Sequence, residues 1–466
     1  MLPGAPLSAE SVICRVVRVA GGRFAPGHLG ELTRVVAFEM VDAVLVQTGR
    51  VQRRVRDLPA RVGVYLLLAG VLFADVGWPG VWGQLVGGLG GLRVGRPSAS
   101  SMAASRRRLG AAPLAALFDL LRGPVAAGWS GAVFWHGRLV CAVDGTVVCA
   151  ADTPANLKAY AKSVGNHGGS GYPLVRLVAL VACGTRGVID AVFGPTSDGE
   201  TSYAPRLLGA LHAGMILLAD RGFEGRELLG QLAATGADVL VRVKNGRRLP
   251  VGERYRDGSL PLTDRPGRGQ SCALPDHDRD RRPPVDPGVY QLVTTVLDPQ
   301  VPAADLIRLY HDRWIIETAF LELKSTILHG RVLRAKTPDG VAQEIYALLV
   351  VYQALRTAIV DATLTQAGTD PGCVSFTRAL NTARAQVILA ASILDDPTDL
   401  AGTMGQAALA TLMPNRQLRV SPRIVKRAIS PYVAKTATGR LHGPSYQATL
   451  TIDILTTDDW TTTNTA

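Results

Sequence analysis

Paired cysteines are absent from this sequence. Its six cysteines (Cys14, Cys141, Cys149, Cys183, Cys272, Cys373) are scattered and form no C-x-x-C pair. That excludes a small disulfide scaffold, argues against a cysteine zinc site and fits a reducing cytosol. The eight histidines show no paired ligand spacing, so zinc is disfavoured again. No Gly-x-Ser-x-Gly elbow occurs, which argues against a hydrolase triad. Long apolar runs are missing too. The most apolar stretch, residues 62–74, ends at Asp75 after 13 residues, too few to cross ~30 Å of hydrocarbon. Arg15 and Arg18 interrupt the N-terminal apolar segment, so no targeting segment and no membrane partner are expected, and the expected location is cytoplasmic. Lysine is scarce, at seven of the 50 Lys+Arg.

What is present is a globular balance. The 466 residues are 47% hydrophobic and 19% charged, enough for two to four domains with a real core. The formal charge is +12. Ala, Gly, Val and Arg dominate, as GC-rich coding gives for any protein, but the excess is localised. Residues 1–110 hold 14 basic and 6 acidic side chains, and residues 416–440 hold seven basic and no acidic ones. The rest is close to neutral, so the flanks are the parts suited to a polyanion.

Residues 1–130 read as mostly helical, with apolar spacing over 29–48 and 58–74, and a Gly-rich connection at 87–95. A helix starting at Pro97-Ser98 carries Arg106, Arg107 and Arg108, and a second follows from Leu114. The pair suits DNA contact, although an ordinary solvated basic face has the same composition. From residue 131 the texture turns to β-branched runs at 139–148, 174–182 and 187–193. Helix, strand (215–219), helix and strand (238–243) follow, which is a mixed α/β sheet order. An insertion at about 244–298 opens with a stretch rich in Pro, Gly, Arg and Asp. Long helices are expected at 303–327 and 341–364, and a frayed end at 456–466. The expected parts are a helical DNA-binding or assembly domain (1–130), a catalytic domain (131–340) and a helical, basic C-terminal region (341–466).

Three acids stand out. Asp144 lies inside an apolar strand before Gly145-Thr146, and Asp220 directly follows Ile216-Leu217-Leu218-Ala219. A carboxylate at a buried strand end costs free energy unless it is paired, and ligands of open α/β sheets gather at strand ends. Either Asp alone could simply cap a turn. The third is Glu317. On a straight helix Tyr310, Arg313, Glu317 and Lys324 fall within about 60° of one another, while Glu322 points roughly away. An Arg313–Glu317 surface pair would be the plain alternative. Three carboxylates from two strands and a helix suit hard divalent ions, magnesium or manganese, and phosphodiester chemistry, with Arg313 and Lys324 on backbone phosphates.

These residues resemble the DDE transposases of the insertion-sequence-four family. Val143-Asp144-Gly145-Thr146, followed by Asp152-Thr153-Pro154 and Asn156, looks like the first-Asp motif, and Gly171-Tyr172-Pro173 with Arg176 continues it. Residues 217–223 look like the second-Asp motif. Tyr310, Arg313, Glu317 and Lys324 fit the signature Y-(2)-R-(3)-E-(6)-K at every position. The resemblance covers roughly residues 25–360. It implies a ribonuclease-H-like mixed-sheet core with a β-rich insertion, and Asp144, Asp220 and Glu317 as the magnesium-binding triad. It also implies Tyr310, Arg313 and Lys324 at the transposon end, and an insertion that helps handle a DNA hairpin. No Trp lies between residues 136 and 313, so Trp314 is the nearest candidate to hold a base, although a core position behind the helix is the more ordinary one. The function implied is end binding, cleavage to 3′-hydroxyls and joining to target DNA by a homodimeric synapse on double-stranded DNA. A structure-specific nuclease on the same core and a DNA-binding protein without catalysis stay open.

Overall fold

Side-chain parity explains the central sheet. In strand β1 (Arg138–Cys149), Val140, Ala142 and Val148 belong to one apolar cluster, and Leu139, Cys141 and Val143 to the other. Both faces are covered, so the run reads as continuously apolar rather than alternating. The computed structural model describes residues 17–19, 23–52, 56–90, 92–125, 133–162, 171–244, 260–261, 270–277, 288–298, 300–390, 402–413, 419–420, 446–447 and 451–452.

β1 pairs antiparallel with β2 (Leu174–Ala182), and β2 with β3 (Val188–Pro195). On its other side β1 pairs parallel with β4 (Met215–Ala219), and β4 with β5 (Asp238–Val243). The core order β3-β2-β1-β4-β5 is the ribonuclease-H-like one, as expected. The insertion is not a separate sheet in its described pieces. β6 (Gln270–His277) pairs with β7 (Gly288–Thr294), and β7 pairs antiparallel with β5, so the central sheet simply extends. Thr451–Ile452 adds to the outer edge of β6.

Helices from both ends of the chain cover the Val140 face. They are α1 (Phe38–Gln47), α2 (Ala60–Leu72), α3 (Trp78–Val86), α4 (Ala99–Leu109) and α5 (Ala112–Leu121) from the N-terminal side. The opposite face carries α6 (Arg226–Ala234) and the turn Ala204–Ala210. The helix expected over 29–48 is broken: Leu32–Val35 and α1 are separate. The helical run expected at 303–327 is continuous but changes winding. It passes from α7 (Ala303–Tyr310) through a tight turn (His311–Trp314) to α8 (Ile315–Leu321) and a π turn (Glu322–Ile327).

α9 (Pro338–Leu364) has 27 residues and is apolar enough by composition to cross a membrane, but 78% of its most apolar window is buried inside the protein. Thr337 caps it through the N–H of Gly340, and Pro338 sits at its first position. α10 (Phe376–Leu389) and α11 (Gly402–Leu409) pack against it. In the region expected to be helical, 341–466, the described helices end at Leu409. Beyond it the described pieces are short strands: Arg419–Val420, Tyr446–Gln447 and Thr451–Ile452. Most of the basic segment 416–440 and the end 456–466 lie outside the described residues.

Candidate active site

Register brings the two aspartates together. Val143 on β1 stands opposite Ala219 on parallel β4, so Asp144 and Asp220 follow side by side. Both share the parity of Val140, Ala142, Ile216 and Leu218, whose side chains lie in the cluster that also contains Ile316, Ala319 and Phe320 of α8. The acids thus face the helix that carries Glu317. Asp220 ends its strand by accepting the N–H of Arg221 at 2.7 Å.

Arg313 lies between the acids. One guanidinium nitrogen is 3.7 Å from Asp144 Oδ2 and another 3.8 Å from Glu317 Oε1, and the side chain is only 7% exposed. Its buried Nε has no hydrogen-bond partner among the described residues. This is not the exposed i,i+4 pair that spacing alone permits, because the cation is shared with a residue on the sheet. Tyr310 donates to the carbonyl of Ala219 at 3.3 Å, next to Asp220, and burial raises its pKa. Lys324 Nζ lies 3.1 Å from Thr146 Oγ1, and burial lowers its pKa. All four signature residues converge on β1 and β4, although the helical run is not a straight α-helix.

Burial pushes the Asp144 carboxyl up to about 6. The N–H of Gly145 and the Arg313 charge pull it down, while Glu200 and Glu317 push it further up. Glu200 was missed in the sequence. A Cβ on Gly145 would lie 2.5 Å from the Glu200 carboxylate carbon, so glycine there lets Glu200 lie across the strand beside Asp144. Arg176 holds it at 2.7 Å, which gives the Arg176 motif residue a partner. The only local signal would have been the bare Gly after Asp144.

The remaining motif residues build rather than react. Asn156 donates to the carbonyls of Ala151 and Ala335, and Thr153 Oγ1 donates to that of Lys336, tying the chain after β1 to the turn before α9. Glu322 is buried against Arg186 at 2.8 Å, Tyr352 at 3.0 Å and Arg356, away from the site as the spacing predicts. Trp314 is not a core aromatic. It is 45% exposed, with the Arg313 guanidinium 5.0 Å from its ring. Arg106 is half-buried, 4.0 Å over the Trp78 ring, so its charge is engaged inside the protein, whereas Arg107 and Arg108 are exposed. A cleft of about 790 Å³ opens beside Asp220, lined by Thr201, Arg221, Glu224 and Lys244 among others.

Among the described residues no three carboxylates, imidazoles or thiolates converge tightly enough to cage a metal ion. Carboxylates on neighbouring strands are nevertheless the oxygen donors that a hard divalent ion takes, with substrate phosphates and water completing its shell.

Comparison with known proteins identifies the family. Residues 26–119 match the family model described as insertion element 4 transposase N-terminal, and residues 135–354 match the transposase DDE domain. The fold and the site define a DDE transposase with a ribonuclease-H-like core. Transposase InsG for insertion sequence element IS4 of Escherichia coli K12 is 24% identical over 408 residues, 83% of this chain and 90% of that protein. The putative transposase InsZ of the same organism is 29% identical over 168 residues, 35% of this chain and 56% of that protein. A solved piggyBac transposase synaptic complex with hairpin DNA aligns with TM-score 0.44 and 11% identity over 87% of each chain. The chain belongs to the DDE transposases of the insertion-sequence-four family.

Proposed function

We propose that this transposase binds the terminal inverted repeats of its own element, cleaves DNA to leave 3′-hydroxyls and joins them to a target. The observation that carries the reading is the shared cation: Arg313 between Asp144 and Glu317, with Asp220 on the neighbouring strand. Asp144, Asp220 and Glu317 would hold magnesium, for which manganese could substitute. When bound, two such ions would activate the attacking oxygen and stabilise the leaving one.

Arg313 holds Asp144 and Glu317 in register and would supply a guanidinium to a DNA phosphate beside them. Lys324, fixed by Thr146, and Tyr310 position the strand next to the scissile phosphate. Trp314 offers an exposed ring for an unstacked base, and Arg107 and Arg108 contact the duplex backbone. Two ends require two active sites, so the working form is a homodimeric synapse. The cytoplasm, on the nucleoid, is the expected place of action.

The test is a strand-transfer assay on duplexes carrying the repeats that flank the gene. Wild type should give joined product with magnesium. Glu317→Gln should abolish cleavage while end binding stays within about a few-fold, as expected for an electrostatic catalytic group. Wild-type-like cleavage by the variant would remove Glu317 from the triad. Cleavage without joining by the wild type would favour a nuclease.

A further inference from the structure

Among the described residues, the helical layer gathers three arginines and no carboxylate at one pocket outside the carboxylate site. After α1, Gly49 takes φ +66° and turns the chain, and the N–H of Arg50 returns to the carbonyl of Leu45 at 2.8 Å. Arg50 then reaches across and donates from Nη1 to the carbonyl of Arg108 at 3.0 Å. Gly110, at φ +67°, leaves space for it: a Cβ there would lie 3.4 Å from Arg50 Nη2. Gln52 Nε2 donates to the carbonyl of Leu58 at 3.3 Å.

The result is a pocket of about 330 Å³ whose polar lining is Arg50, Gln52, Arg56, Ser105 and Arg108, and no carboxylate lines it among the described residues. Of the neighbouring cations, Arg61 pairs with Asp42 and Arg106 lies on Trp78. Arg50, Arg56 and Arg108 share the lining of this pocket instead. Burial, and then the charges of Arg56 and Arg107, lower the pKa of Arg108.

Like charges held together cost free energy that a bound anion offsets, and the guanidinium fork matches phosphate oxygens. The negative end of α4 would oppose an anion, but three carbonyls there already accept side-chain hydrogen bonds. Arg108 O accepts from Arg50, and the carbonyls of Arg106 and Gly110 accept from Gln343.

We propose that the Arg50–Arg56–Arg108 pocket seats a backbone phosphate of duplex DNA, giving the N-terminal helices a fixed grip on the duplex. This rests on the reading of the chain as a DNA-acting transposase and names where that layer holds its substrate. Sequence-independent phosphate contacts position a duplex without reading it, so the grip applies to any sequence.

The experiment is fluorescence anisotropy of the full-length chain with a short, labelled duplex of random sequence across a sodium chloride series. Arg56→Gln/Arg108→Gln should weaken binding about tenfold and make the slope of log K against log salt shallower by about one, the value of one phosphate contact. Arg56→Lys/Arg108→Lys should keep most of the affinity. Arg50 is left in place because it also braces α4, and unchanged thermal unfolding of the variants checks their fold. Wild-type affinity and slope in the Gln variant would overturn the pocket while leaving the transposase reading intact. A wild type that fails to bind the duplex even at low salt would overturn both. A thermal shift with inorganic phosphate that the Gln variant loses, without any change in DNA binding, would make this a small-anion pocket and overturn the assignment to DNA.

Discussion

Two single residues illustrate how burial sets chemistry here. His28 is 2% exposed, its Nδ1 accepts the N–H of Gly30 at 3.3 Å, and burial pushes its pKa down to about 4 from 6.5. The unfolded chain therefore binds the extra proton first. The stabilising effect of neutral His28 is complete above pH 6.5 and is lost as pH falls toward 4, a loss of up to about 3 kcal/mol. His28→Gln should flatten the fall of the thermal midpoint over that window relative to wild type; parallel curves would contradict the assignment. Gly145 is the second case. Gly145→Ala should cost no more than about 1 kcal/mol, because the obstructing Glu200 carboxylate can swing aside. It should nevertheless lower DNA cleavage at least about tenfold by breaking the Arg176–Glu200 pair beside Asp144. Kinetics and circular dichroism on the same preparation separate the two effects, and full activity would show that Glu200 has no bearing on Asp144.

At the scale of elements, the run from α7 to the π turn does two jobs. Tyr310, Arg313, Glu317 and Lys324 face the sheet ends, while Glu322 leaves that face and enters a buried cluster with Arg186, Tyr352 and Arg356. π turns often mark such a change of register within a helix, and this one lets Lys324 return to Thr146. A buried carboxylate between two guanidiniums adds little net stability, but removing it strands the cations at a cost of about 3–5 kcal/mol. Glu322→Gln should therefore lower the thermal midpoint by roughly 3–5 °C and reduce cleavage through the displaced Lys324. A midpoint within about one degree of wild type would show that the cluster does not hold the helix. The four-residue signature was legible in the sequence because helical spacing survives small changes of winding. The role of Glu322 was not, because its partners Arg186 and Arg356 lie 136 and 34 residues away.

At the scale of the molecule, both flanks of the chain share one apolar cluster with the Val140 face of the sheet. Trp78 lies between the guanidiniums of Arg106 and Arg334, at 4.0 and 4.2 Å, joining the N-terminal helices to the turn before α9. Glu31 joins them to the C-terminal helices. Its buried carboxylate accepts from Gln386 Nε2 and the N–H of Thr403 at 2.7 Å each, and from the N–H of Met404 at 2.9 Å. Glu31→Ala should raise amide exchange across 402–409 and lower stability by about 2 kcal/mol, leaving exchange in β1 and β4 unchanged. Unchanged exchange in α11 would mean that the cap does not hold it. The sequence by itself determined the succession of strands and helices along the chain and singled out the three acids and the basic residues beside Glu317, because each is written locally as periodicity, an acid at the end of an apolar run, or a fixed spacing. Only the tertiary structure decided that Arg313 is shared between Asp144 and Glu317, that Glu200 lies over Gly145, that Trp314 faces out and that Arg106 packs on Trp78. Each of these depends on which distant segment packs against the residue, and packing joins positions that no local pattern relates.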